Sequence, residues 1–178
     1  MSKLICLAYL CFFGLSMKAQ TLDSLTKKKQ FLLGVHFQYH PYDFFLVPSF
    51  SLQKNQFKNE IRFGIGINRT FFQQRFYPQL TYQFSYTFIE QKQFSMYAFA
   101  RASFYRLNFQ FVNSNKATKW LDGLFGFGLL YGKRNQIGCS VGVGPSWELN
   151  YNTTLKRNQS IQTWNLVYEV SYYHTIRD

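Results

Sequence analysis

The chain has 178 residues, 47% hydrophobic, 21% aromatic and only 16% charged, with a formal charge of +12. A mean hydropathy of −0.22 excludes a bundle of membrane helices, each of which needs an apolar run of about 20 residues. So high an aromatic share also excludes a disordered chain, and the length suits one domain.

Residues 1–19 have the make-up of a secretory signal peptide. Lys3 supplies the positive start, Leu4 to Leu15 form a short apolar run, and Ala19 offers a small cleavage residue. Residues 20–29 follow as a short N-terminal segment, and the remainder, 30–178, forms the domain. Cleavage removes Lys3 and Lys18 from the 20 basic residues, leaving 18 against 8 acidic, or +10. Cys6 and Cys11 also leave, so Cys139 stays alone and neither an internal disulfide nor a Cys-based metal site can form.

From Phe31 onward the period is two, which predicts strands with two unlike faces. One face carries Phe31 to Tyr39 on the first strand, Phe44 to Leu52 on the second and Ile61 to Arg69 on the third. It continues with Pro78 to Phe88, Phe94 to Phe104, Leu121 to Tyr131, Ile137 to Trp147 and Trp164 to Tyr172. The opposite face is Gly, Ser, Thr and Gln with a few charges, and nine of the ten glycines after the leader fall on it, Gly123 being the exception.

Eight such strands predict an all-β, antiparallel, up-and-down closed barrel. A soluble carrier barrel of the lipocalin type would bury its apolar face and show water a charged surface. A transmembrane barrel turns the apolar face to lipid and fills a narrow interior with small and polar side chains. The Gly/Ser/Thr/Gln face suits the second. With a periplasmic N-terminus, the short polar links 54–59, 90–93 and 132–136 lie in the periplasm. Links 40–43, 70–76, 107–120 and 150–160 lie outside, the last two being the long ones.

A leader ending near Ala19-Gln20 followed by eight alternating aromatic strands resembles the small, porin-like outer-membrane β-barrel proteins of Gram-negative bacteria. The Lys-Ala-Gln leader end and the abundance of Phe, Tyr, Lys and Asn are similar to the Bacteroidetes type. The resemblance covers residues 30–176 and implies an outer-membrane location reached through the barrel-insertion machinery. At the C-terminus the chain departs from it, ending Tyr173-His174-Thr175-Ile176-Arg177-Asp178 where many such barrels end in an aromatic residue.

Some small outer-membrane barrels resemble lipid A-modifying enzymes that use a His with a Ser. His36, His40 and His174 are the histidines available, and His40 with Asp43 forms the only pair near the outer rim; a solvated turn capped by Asp explains that pair as well. Asp122 and Glu148, placed at the external rim, read as partners of basic groups and not as a protease-like acidic pair. The inward charges Glu60, Arg62, Arg101 and Glu169 predict an ion-pair network in the lumen, since a charge in a low-dielectric interior must be paired. Tyr77, Tyr97, Phe99, Tyr105 and Tyr173 point inward opposite Gly64, Gly66, Gly126, Gly128, Gly142 and Gly144, which predicts a filled lumen.

Tyr39, Tyr82, Tyr131, Trp147, Trp164 and Tyr168 are expected at the membrane interfaces. Arg69, Arg75, Arg106, Lys116, Lys119, Lys156 and Arg157 lie at or beyond outer strand ends, with no acidic residue in links 70–76, 107–120 or 150–160. That basic rim is expected to contact lipopolysaccharide phosphates. The reading is therefore a structural, non-enzymatic outer-membrane barrel, monomeric, with no cofactor, metal or nucleic acid. A narrow passive channel, a lipid A-modifying enzyme and a soluble ligand carrier are the alternatives.

Overall fold

The computed structural model describes residues 29–73, 77–108, 117–152 and 157–177. The leader, residues 20–28 and the basic residues Arg75, Lys116 and Lys156 lie outside them. Eight strands follow in chain order: β1 (Lys29–His40), β2 (Asp43–Lys54), β3 (Phe57–Gly66), β4 (Pro78–Gln91), β5 (Phe94–Asn108), β6 (Ala117–Gly132), β7 (Asn135–Asn152) and β8 (Arg157–Arg177). Each pairs antiparallel with its neighbours in sequence. β8 closes the sheet on β1, from Phe31↔Arg177 to Tyr39↔Tyr168. The result is a closed eight-stranded up-and-down barrel, which leaves no unpaired strand edge.

The two faces sort by residue type. Along β1, Leu33, Val35, Phe37 and Tyr39 are exposed, while Leu32, Gly34, His36, Gln38 and His40 between them are buried. The same polarity holds round the barrel, so the apolar belt is outside and the Gly/Ser/Gln face fills the lumen. An eight-strand barrel encloses just enough room for side chains.

The described residues at both chain ends lie at the same end of the barrel, here the terminal end. The two-residue turns 55–56, 92–93 and 133–134 are there too. Asn55 (φ 56°), Lys92 (φ 36°) and Gly132 (φ 122°) supply the left-handed backbone those turns need. Hydrogen bonds from Thr87 N–H to the Gln56 carbonyl (2.8 Å) and from Gly132 N–H to the Gln93 carbonyl (2.7 Å) tie neighbouring hairpins together.

At the far end the strands depart from the sequence reading in two ways. β5 to β8 run further than expected, so residues 107–108, 117–120, 150–152 and 157–160 of the expected links are strand. Arg106↔Lys119 and Asn150↔Gln159 are ladder pairs. Polar strand ends that outrun the apolar belt have the composition of loops. The third strand, in contrast, stops early. β3 ends at Gly66, and a π-helical turn, Asn68–Phe72, follows. Asp43 enforces the break, its carboxylate accepting the N–H groups of Asn68 and Arg69, both at 3.0 Å.

Candidate functional site

The lumen is filled in three layers. Near the far end, Phe45, Val47, Tyr77, Tyr105 and Trp120 pack together. Near the terminal end, Leu32, Tyr97, Phe99, Leu130 and Tyr173 do the same. Between them lies a charged layer.

The large side chains fit because glycine stands opposite. A Cβ on Gly126 would come within 2.6 Å of Phe99 Cζ, and one on Gly66 within 2.7 Å of Tyr77 Cδ1. A Cβ on Gly128 would overlap the Tyr97 ring itself. Large-against-small filling, read from strand phase, therefore holds. Sequence alone does not single out Leu32, Phe45, Val47, Trp120 and Leu130, although they share the inward phase of Gly34, of Ser49 and of Gly128 on their respective strands.

In the middle layer all four predicted charges meet. Arg62 donates to Glu169 at 2.7 Å through one guanidinium nitrogen and to Glu60 at 2.9 Å through the other. The Arg101 guanidinium lies 2.8 Å from Glu169 Oε2, and its Nε donates to Gln83 at 2.8 Å. These groups come from β3, β4, β5 and β8, so the layer staples distant walls of the barrel. Tyr173 adds a hydroxyl to Glu60 at 3.1 Å.

Two members were missed. His36 sits between the carboxylates, with Nδ1 3.0 Å from Glu169 and Nε2 2.9 Å from Glu60. Lys58 Nζ is 3.7 Å from Glu60 and 3.9 Å from the centre of the Tyr173 ring. The sequence pattern places it in the link 54–59. The turn is only two residues, so Lys58 continues the inward phase of Glu60 and Arg62, and nothing in the local sequence set that length.

His36 Nε2 also lies 2.8 Å from Ser49 Oγ, giving Ser49, His36 and Glu169 the order of a hydrolytic triad. The surroundings do not suit it. Ser49 is 7% exposed, Glu60 competes for the same His36 nitrogen, and the strand is laddered on both sides at Ser49. The rim pair His40–Asp43 is corrected: the two side chains have different partners. His40 Nε2 is 2.8 Å from Asp122, which is buried in the lumen and not at the external rim, and Asp43 holds the π-helical turn. Glu148 is half-buried opposite Trp120. His174 is at the terminal end, 2.7 Å from Asn135. Among the described residues no group of three or more His, Cys, Asp or Glu side chains is placed to hold a metal.

On the outside, Tyr39, Tyr82, Tyr131, Trp164 and Tyr168 are exposed, Trp164 at 71%, and Trp147 is half-buried. Tyr39 and Tyr168 meet across the β1–β8 seam with ring centres 6.5 Å apart. Tyr82 donates its hydroxyl to Asn59 at 2.6 Å, towards the terminal end.

Of the basic rim, Arg106 and Lys119 face each other in the β5–β6 ladder and are exposed. Arg69 is corrected: it is not on the outward side of a strand but on the π-helical turn, its guanidinium 5.2 Å from the centre of the Tyr77 ring. Arg157 begins β8.

No family model matches the chain, and no curated protein does. Among solved structures it is similar to the N-terminal β-barrel domain of Pseudomonas aeruginosa OprF, at 8% identity and a TM-score of 0.55, over 83% of this chain and 99% of that one. A major outer membrane protein of Thermus thermophilus aligns over 83% and 99% at 9% identity and a TM-score of 0.46. Neisserial surface protein A aligns over 80% and 94% at 13% identity and a TM-score of 0.37. The OprF likeness is one of fold.

Proposed function

We propose that the chain is an integral outer-membrane barrel with a plugged lumen, structural in role, whose far-end rim binds the phosphorylated glycolipid of the outer leaflet. The observation that carries this is the inside-out polarity: ion pairs and glutamines within, a belt of Phe, Tyr, Leu and Val without. Such a belt is stable only against lipid. Short turns at the terminal end support a periplasmic side for that end, by the usual asymmetry of these barrels. The leader-like N-terminus supports export, and its Lys-Ala-Gln end supports the Bacteroidetes type. The barrel acts as a monomer, without cofactor, nucleic acid or catalysis.

Folded barrel is expected to migrate differently in SDS gels with and without boiling, and to give no large steady currents in planar bilayers. Identical mobility with soluble fractionation would favour the carrier reading. Large currents would favour the narrow channel.

For the rim, Arg106 and Lys119 together present two cations beside the outward belt, and Arg can bind phosphate with two parallel hydrogen bonds. Exposed single charges contribute little, so the pair and its neighbours must act together. Arg106→Gln/Lys119→Gln is expected to retain at most half the lipid A that co-purifies with the unmutated protein. Equal retention, insensitive to salt, would sink the lipid reading while leaving the barrel in place.

A further inference from the structure

At the terminal end the lumen opens into a vestibule of about 380 Å³. Lys58, Tyr97 and Leu130 line it, and Lys92, Lys133 and Arg134 reach it from two turns, with Glu90 the acid among them. We propose that this vestibule binds a phosphate group.

The charge beneath it is unbalanced. In the layer below, Lys58, Arg62 and Arg101 face Glu60 and Glu169, an excess of one cation even with His36 neutral. The other acids of inward phase below the vestibule among the described residues are at the far end: Asp43 and Asp122, engaged by the π-helical turn and by His40, and half-buried Glu148 opposite Trp120. Lys58 carries the excess. Only 4% exposed, its ammonium makes no hydrogen bond, and its neighbours are Glu60 at 3.7 Å and the ring faces of Tyr173 and Tyr97 at 3.9 and 5.4 Å. A buried ammonium with one long ion pair and two ring faces still attracts an anion placed at the vestibule beside it.

The mouth supplies the contacts. The mouth is lined by Lys58, Lys92, Lys133 and Arg134 against the single acid Glu90, and such a predominance of one sign draws an anion in. Three exposed cations, Lys92, Lys133 and Arg134, against Glu90 suit a dianion better than a carboxylate. Arg134 offers the fork that matches phosphate oxygens, and Ser95 adds a neutral donor, while Gln53 and Gln136, whose amides already donate to the Asn55 and Lys133 carbonyls, each keep a second N–H. The phosphate belongs either to a soluble ester or to a lipid headgroup of the leaflet around that end. The site is at the opposite end from the basic rim, so it stands whether or not that rim binds lipid.

Two probes separate the sources: glycerol 3-phosphate by calorimetry in octyl glucoside micelles, and phosphatidylglycerol retained on the barrel by native mass spectrometry. Lys133→Gln/Arg134→Gln alters only a turn, and Lys58→Met removes the buried excess charge. Each is expected to weaken the bound probe at least ten-fold, and added salt is expected to weaken it too. Binding of glycerol 3-phosphate supports the soluble source. Binding of phosphatidylglycerol alone supports the headgroup. No binding of either probe, or unchanged affinity in a folded variant, overturns the proposal. Unheated gel mobility reports folding, and if Lys58→Met fails to fold the turn variant decides alone.

Discussion

Arg62→Met is expected to destabilise the barrel by about 3–5 kcal/mol, the usual cost of removing one partner from a buried ion pair. Arg62 is fully buried and is the one residue that bonds both Glu60 and Glu169 through its guanidinium. Without it, Glu60 is left with His36, Tyr173 and the more distant Lys58, and Glu169 with His36 and Arg101. Two carboxylates then share too few donors in a medium that penalises charge. Adding Glu60→Gln removes one of them and restores the original excess of one cation. The double variant is therefore expected to lose less than Arg62→Met alone, a coupling that neighbours in one network show. Guanidinium unfolding in detergent micelles, followed by the unheated gel band, measures both. A loss below about 1 kcal/mol for Arg62→Met would mean that the layer is dispensable, against the range given for buried pairs.

Gly128→Leu is expected to abolish the unheated gel shift, while Gly123→Leu leaves it intact. The two glycines lie on the same strand, five residues apart, on opposite faces. At Gly128 a new Cβ runs into the ring and hydroxyl of Tyr97, which is itself held against Phe99 with ring centres 6.2 Å apart. The atoms met are the tip of the Tyr97 side chain, but that ring is 1% exposed and closed in by the packed lumen, so it has little room to swing aside. Overpacking typically costs about 1–3 kcal/mol and occasionally more, and here several extra carbons enter a closed ring of backbone. At Gly123 the new Cβ would meet only Trp147, at an ordinary 3.7 Å, on the outward face. Tyr97→Ala is expected to rescue Gly128→Leu by removing the ring. Normal folding of Gly128→Leu without that rescue would show that the lumen is not packed against Tyr97.

Much of this molecule is written in its period. Alternation of Phe31, Leu33, Val35 and Phe37 with Leu32, Gly34, His36 and Gln38 specifies a strand and its two faces, because side chains alternate at every residue. Repeated eight times, it implies closure, and the polar face can only be a narrow interior. For the same reason Glu60, Arg62, Arg101 and Glu169, and likewise Tyr97 and Gly128, could be placed on the lumen face from phase alone.

Phase says nothing about height along the barrel or about partners across it. That His36 bridges Glu60 and Glu169, and that His40 takes Asp122 and not Asp43, depends on the register and closure of strands far apart in sequence. Turn length was equally illegible: the two-residue turn at 55–56 is what brings Lys58 indoors. The early end of β3 depends on Asp43, a residue 25 positions away from the Asn68 N–H that it accepts. Local alternation determined which face each side chain occupies; only closure of the ladder decided which side chains meet, because contacts across a lumen join residues that no short-range pattern relates.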